Sequence, residues 1–219
     1  MKIPLVILLS CLLAAAGSIR EVYNYRQRTG DRESMNTWSR EVKRQGRVEL
    51  TALKPATGES DKMICDADYE TLEWFYSDRK RDISIHAVRD GDVVRVTGEK
   101  AGKAVSKSVR LETAAWFQFP EFSISRMLAS PRESVTYSLF WPDRMTFYVM
   151  KASRAGGEKI MINGSQVDTI RVKVTLAGFG SIFWSSRYWF RSSDLVFVRY
   201  EGVNGLPGTN PTVLELTGQ

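Results

Sequence analysis

The sequence contains one histidine, His86, and two cysteines, Cys11 and Cys65, among its 219 residues. A single histidine excludes the usual multi-histidine metal centres and most catalysis that depends on a histidine base. Cys11 falls in the leader described below, so Cys65 would be the lone thiol of the mature chain and no internal disulfide is expected. We therefore predict a non-enzymatic protein with no metal, no cofactor and no catalytic residues, held together by packing.

Long apolar runs are absent after the first residues, which read MKIPLVILLSCLLAAAGS. One lysine, an apolar run over residues 3–13 and a cluster of small residues are typical of a secretory signal peptide. The run is shorter than the roughly 20 apolar residues of a membrane-spanning helix. We predict a signal peptide over residues 1–18, a single mature domain over residues 19–219 and a periplasmic or secreted location.

The segment LLSC, which ends at Cys11, also looks like a bacterial lipobox, in which the cysteine is lipidated after cleavage. The apolar run continues past this cysteine through Leu12 and Leu13, and little hydrophobic signal would precede the cut. We therefore favour cleavage at the small residues and keep a lipoprotein anchored at Cys11 as the alternative.

Neither sign of charge dominates the sequence: 31 basic and 25 acidic residues leave a mildly positive formal charge of +6. Such a balance permits contact with anionic surfaces such as lipid headgroups, so membrane-surface contact is a candidate interaction. Aromatic residues mixed with arginines would also suit single-stranded nucleic acid. Because export removes the protein from nucleic acid, we predict no nucleic-acid partner.

What the sequence does contain is alternation of apolar and polar residues with a period of two, which is typical of antiparallel strands. Asp-Gly in RDGD and Asn-Gly at Asn163 and Gly164 are hairpin turns. About a dozen strands are predicted, and a sheet of that size curls. The predicted fold class is mainly β, an antiparallel meander forming a curved half-barrel or barrel with one or two short helices. One helix is predicted over residues 123–130, with Ser123 as its cap, and REVYNYRQR is left as strand or helix.

The stretch FWSSRYWFRSSDLVFVRYEG, residues 183–202, predicts a hairpin with a three-residue loop, Ser192-Ser193-Asp194. The predicted cross-strand pairs are Phe190 with Val196, Tyr188 with Val198, Trp189 with Phe197, Arg187 with Arg199, and Ser185 with Glu201. One face is then apolar, and the other carries two arginines side by side.

Two interpretations of the aromatic residues remain open. They form a packed core, or they line a hydrophobic cavity whose mouth carries arginines for an anionic headgroup. For the cavity, the candidate residues are Trp74, Trp141, Phe147, Trp184, Tyr188 and Phe190. The candidate contacts to an anionic group are Arg187 and Arg199.

Other candidate sites are weaker. Asp82, Ser84 and His86 share a strand face, but residues two apart on a strand are roughly 6.5 Å apart, too far for a catalytic relay. The acidic cluster lacks the glycine turn of a calcium loop, so a solvated edge is expected there; it comprises Asp66, Asp68, Glu70 and Glu73.

Four features follow one another over residues 70–202: ETLEWFYS, RDGDVVRVTG, an Asn-Gly turn before VDTIRVKV, and FWSSRYWFRSSDLVFVRYEG. Together they resemble the bacterial periplasmic domain-of-unknown-function family 3108. That family is similar in architecture to the outer-membrane lipoprotein carriers. The resemblance implies a curved antiparallel half-barrel, covered by helix, with an aromatic-rich cavity for acyl chains. It transfers no activity and no catalytic residues.

The sequence thus predicts an exported β-protein that binds or carries an amphipathic or lipidic ligand at the cell envelope. The expected partner is a lipid or a lipoprotein, or an envelope protein. One alternative is a structural or protein-interaction module of an envelope complex, using strand edges and the face of Arg187 and Arg199. A second alternative is an outer-membrane-associated barrel. The oligomeric state stays open.

Overall fold

The computed structural model describes residues 19–178, 184–203 and 210–219. The predicted signal peptide with Cys11, and Phe183 of the predicted hairpin, lie outside the described residues. The described part contains fourteen strands, a 3-10 turn at Arg44–Gly46 and one α-helix. The strands are β1 (Arg20–Thr29), β2 (Arg32–Val42), β3 (Val48–Lys54), β4 (Glu59–Cys65), β5 (Thr71–Asp78), β6 (Ile83–Asp90), β7 (Val93–Lys100), β8 (Lys103–Arg110), β9 (Ser134–Trp141), β10 (Thr146–Ile162), β11 (Ser165–Leu176), β12 (Ser185–Arg191), β13 (Phe197–Val203) and β14 (Pro211–Gly218). The helix is α1 (Pro120–Leu128).

All fourteen strands form one antiparallel sheet, in the order β8-β7-β6-β5-β4-β3-β2-β1-β14-β13-β12-β11-β10-β9. The first and last strands pair with each other, so the meander begins and ends in the middle of the sheet. The predicted mainly β meander with a short helix is confirmed. REVYNYRQR is a strand, β1, whose Tyr23 and Tyr25 are buried.

The segment that connects β8 to α1 ties the two halves of the curved sheet together. The Phe117 N–H donates to the Ser138 carbonyl of β9 at 3.1 Å, and the Ser138 N–H donates to Ala115 at 2.8 Å. The Trp116 carbonyl accepts from the Thr71 N–H of β5 at 2.8 Å, and the Trp116 ring is fully buried. This segment holds β5 and the edge strand β9 together, which maintains the curvature and encloses the inner face.

The helix begins at Pro120, three residues before the predicted start, and ends at Leu128. The prediction that Ser123 caps it is wrong, because the N-cap is Phe119 and Pro120 opens the helix with a preset φ. The Ser123 hydroxyl is buried and donates to the Tyr69 carbonyl at 2.8 Å. Ile124 and other buried residues of α1 belong to the hydrophobic core, so the helix fills part of the inner side of the sheet. None of the helical structure in the described residues has the length and apolar character needed to cross a membrane.

The predicted register of the β12–β13 hairpin is wrong. The observed pairs are Arg187 with Glu201, Tyr188 with Tyr200, Trp189 with Arg199, and Phe190 with Phe197. The turn extends beyond the predicted loop, with Leu195 at φ +58°, and the register shifts between Trp189 and Phe190. Such a bulge changes which face the following residues occupy. Phe197 therefore packs on Phe190 rather than on Trp189, and the predicted Arg187–Arg199 pair does not form.

Candidate ligand-binding cavity

A cavity of about 510 Å³ lies within the curve of the sheet. Residues from β1 to β5, from the start of α1, from β9 and from β12 to β14 contribute to its lining. It exists because the inner face is too wide for its side chains and α1 to fill. Its volume falls in the range of about 300–1,000 Å³ that is usual for small-molecule sites.

Aromatic rings supply much of the cavity lining, and these rings are called the aromatic wall: Trp38, Trp74, Phe119, Phe140, Tyr188 and Tyr200. They hold one another in place through ring contacts. Trp38 meets Phe119 edge-on with centroids 4.7 Å apart, and Trp74 meets Phe140 in the same way at 5.7 Å. Interlocked rings lose little conformational freedom when a ligand binds, so this wall is a preformed apolar surface.

Ionisable side chains supply another part of the lining, the ionisable wall, which touches the rings where Asp61 meets Trp74. Lys54, at the end of β3, donates to Glu59 of β4 at 2.6 Å. Asp61 lies two residues further along β4 and accepts a hydrogen bond from the Trp74 indole at 3.0 Å. Burial would lower the pKa of Lys54, but the Asp61 and Glu59 carboxylates outweigh it and hold that pKa above its ordinary value. Burial raises the pKa of Asp61 against the opposing effects of Lys54 and the indole N–H.

Arg81, in the turn between β5 and β6, extends this wall toward the β9–β10 turn. Its guanidinium is hydrogen-bonded to the Tyr76 hydroxyl at 2.6 Å and forms ion pairs with Asp78 and Asp143. Asp143 lies between β9 and β10, so this arginine links the two halves of the sheet at one side of the cavity.

Glu121, the second residue of α1, also lines the cavity. Desolvation is the main cause that raises the pKa of its carboxyl to about 7, and the nearby Asp61 carboxyl adds to the rise. The backbone N–H of Glu121 at the helix start and the Lys54 ammonium act in the opposite direction. In the described part of the chain, no side chain hydrogen-bonds or ion-pairs with this carboxyl. Its surroundings thus leave Glu121 close to half-ionised at neutral pH.

The structure brings together four of the six predicted cavity residues, since Trp74, Trp141, Trp184 and Tyr188 line the cavity. Phe147 instead packs on Trp116 and Phe140, with centroids 5.9 and 5.0 Å away. Phe190 is fully buried in the core against Phe197.

The two predicted anion contacts lie away from the cavity. Arg187 and Arg199 flank the Trp189 ring, with guanidinium carbons 5.6 and 5.8 Å from its centroid. They alternate along their strands with Tyr188 and Tyr200, which line the cavity, so they occupy the outer face. Arg187 pairs with Glu201 at 2.7 Å, and Arg199 pairs with Glu201 at 2.5 Å and Glu215 at 3.3 Å.

Sequence reasoning missed the ionisable wall formed by Lys54, Glu59, Asp61, Arg81 and Glu121. A signal for part of it is present in β4. Glu59 and Asp61 share the parity of Met63 and Cys65, whose side chains are buried, so alternation alone places two carboxylates on the inner face. A charge on the core side of a strand is uncommon and marks a candidate site.

The other candidate sites have structural roles. His86 stacks on Phe75 at 4.3 Å and contacts the Glu73 carboxylate at 2.7 Å. The Asp66 carboxylate accepts backbone N–H groups of Asp68 and Glu70, both at 2.9 Å, which shapes a turn. A search of the described ranges finds no group of histidine, cysteine and carboxylate side chains arranged to hold a metal ion.

No protein-family model and no curated protein matches this sequence. Among solved structures, the chain is similar to the β-barrel-like protein of domain-of-unknown-function family DUF1849 from Brucella abortus, with a TM-score of 0.56, 8% identity, and coverage of 90% of this chain and 94% of that one. The fold is β-barrel-like. At such low identity this likeness shows the architecture alone, and the resemblance to family 3108 stays a prediction.

Two further solved structures are similar at lower scores. The hypothetical lipoprotein YmcC from Escherichia coli has a TM-score of 0.41 and 11% identity, with 89% of this chain and 86% of that one covered. The LolA-superfamily protein NE2245 from Nitrosomonas europaea has a TM-score of 0.28 and 9% identity, with 92% and 84% covered.

Proposed function

We propose that this β-barrel-like protein binds an amphipathic, lipid-like ligand inside its curved sheet and does so at the cell envelope after export. The observation that carries the proposal is the cavity of about 510 Å³, which is lined by both aromatic rings and ionisable groups. A ligand with an apolar chain and a polar end matches both walls at once.

The energetics support an apolar chain as the part that drives binding. Each methylene moved from water onto an apolar surface contributes about 0.8 kcal/mol, so a chain of about ten carbons offers roughly 8 kcal/mol. Loss of translational freedom and ordering of the chain offset a large share of this gain. A preformed wall reduces the offset, because rings such as Trp38 and Trp74 are already fixed by their neighbours.

The predicted leader over residues 1–18 supports an envelope location. The position of His86 supports a binding role without catalysis. His86 is held between Phe75 and Glu73 and is not part of the cavity lining. The cavity carboxylates Glu59 and Asp61 are engaged by Lys54 and the Trp74 indole, respectively.

The alternative of a docking module finds less support. The arginines proposed as its surface are already paired with Glu201 and Glu215. The described edge strand β8 carries Lys103 and Lys107, and lysines on an edge strand oppose the addition of a further strand.

Native mass spectrometry of the protein purified without detergent from its own compartment tests the proposal. We expect an additional mass that solvent extraction identifies as an amphiphile. Two variants on neighbouring residues of β2 locate the site. Ser34 lines the cavity, so Ser34→Trp should reduce the adduct at least about tenfold, because the new ring occupies the ligand's volume.

Met35 is the matched control, because it is 48% exposed and alternation places it on the opposite face of the same strand. Met35→Trp should keep the adduct at the level of the unmodified protein. Absence of any adduct together with no binding of added amphiphiles would contradict the proposal, as would equal adducts in the two variants.

A further inference from the structure

The described cavity lining carries four carboxyl groups, on Glu59, Asp61, Glu121 and Asp143, and two basic groups, on Lys54 and Arg81. Glu59 is paired with Lys54 at 2.6 Å, and Asp143 is paired with Arg81. Among the described residues, Asp61 and Glu121 have no basic side chain within ion-pair distance. The ionisable wall therefore has an excess of negative charge, the opposite of the arginine-lined mouth expected from the sequence.

We propose that the cavity selects amphiphiles whose polar end carries a protonated amine, which contacts the Glu121 and Asp61 carboxylates while the apolar chain lies against the aromatic wall. This inference rests on the proposed function and deepens it by naming the ligand class. Lys54 acts on both carboxyls without forming an ion pair with either, and an ammonium group would donate hydrogen bonds directly to both. A carboxylate or phosphate end would instead meet like charge at these two carboxyls.

The groups that interact with Glu121 from the surrounding strands are Tyr25, Lys54, Asp61, Tyr137, Tyr188 and Tyr200. Burial raises the pKa of all four tyrosines well above 10, so they stay neutral, and Lys54 stays charged. Glu121, with a pKa of about 7, titrates between pH 6 and 8, and burial also raises the pKa of Asp61. An amine that binds the ionised carboxyl should therefore bind up to about tenfold more tightly at pH 8 than at pH 6.

Calorimetric titration of the mature protein with decylamine, decanoate and decan-1-ol tests the inference, because these probes share one chain and differ in the charge of the polar end. We expect decylamine to bind at least about tenfold more tightly than decanoate at pH 8. Its affinity should rise with pH, whereas that of decan-1-ol should not change. The comparison among probes uses the unmodified protein and depends on no variant.

Glu121→Gln should abolish the pH dependence and reduce the preference for decylamine at least about tenfold. Glu99→Gln, at an exposed position on β7, is the control and should change neither. The inference would be overturned if decanoate bound as tightly as decylamine at pH 8, or if a pH dependence survived in Glu121→Gln. In either case, binding of decan-1-ol would still support the proposed function. Failure of all three probes to bind would overturn both.

Discussion

Replacing Glu121 with glutamine should stabilise the ligand-free protein at neutral and alkaline pH and leave its stability nearly unchanged at acid pH. The folded-state pKa of about 7 lies above the ordinary value of 4.5. Below about pH 4.5 the carboxyl is protonated in both states, so its stabilising contribution is fully present. As the pH rises toward 7, the unfolded chain releases this proton more readily than the folded chain, so the folded state loses stability.

The size of the effect follows from the shift. A shift from 4.5 to about 7 corresponds to about 3 kcal/mol if the carboxyl is fully desolvated. Because Glu121 lines a cavity that admits water, screening reduces the expected gain of the glutamine variant to about 1–3 kcal/mol above pH 7. For a chain of this size, that is a rise in Tm of roughly 2–12 °C.

Urea denaturation at pH 4.5, 5.5, 6.5 and 7.5 measures the difference between the unmodified protein and Glu121→Gln. The difference in free energy of unfolding should increase over this range and level off above pH 7. Glu99→Gln should run parallel to the unmodified protein throughout. A pH-independent difference, or a glutamine variant that loses stability relative to the unmodified protein as pH rises, would refute the assignment of Glu121 as a desolvated cavity carboxyl.

Three further predictions concern the frame around the cavity. Burial raises the pKa of the Cys65 thiol to about 12. A thiol reagent at pH 8 should therefore label it at least about a hundredfold more slowly in the folded protein than in urea. Rapid labelling of the folded protein would contradict the buried position of Cys65. Gly98→Ala should destabilise the protein by about 2 kcal/mol or more in chemical denaturation, because φ is +144° and the new Cβ would lie 2.0 Å from the Ser84 carbonyl oxygen. The control Gly157→Ala should destabilise it much less, because its nearest atom to the new Cβ is 3.5 Å away. Equal losses of stability in the two variants would be inconsistent with this backbone contact. Trp116→Ala should cost about 3–5 kcal/mol, because the ring is fully buried in the segment that joins the two halves of the sheet; a loss under about 1 kcal/mol would show that this segment does not support the curvature.

Much of the fold was predictable because strand signals are local. Alternation along IRVKVTL places Val172 and Val174 on one face, and both are buried. Asn163 and Gly164 form the turn between β10 and β11, with φ of +49° and +77°. Turn residues and period-two alternation act over a few residues, so a single sequence carries them in full.

The errors arose where distant contacts outweigh local preference. Ser123 is a good capping residue, but its hydroxyl bonds to Tyr69, which is 54 residues away in the chain. In the β12–β13 hairpin, the register depends on a bulge that turns Phe197 toward Phe190. The longer turn and the bulge shift the pairing, so Arg187 lies opposite Glu201 rather than Arg199.

The sequence by itself determined that this chain forms an antiparallel β meander with an aromatic-rich inner face, because each strand records its own buried side. Only the tertiary structure decided that Trp74, Trp184 and Tyr188 share a cavity with Lys54, Asp61 and Glu121. These residues come from β3, β4, β5, α1, β12 and the position just before β12, and the curvature of the whole sheet brings them together. Burial among these residues then raises the pKa of Glu121, a property that no local pattern encodes.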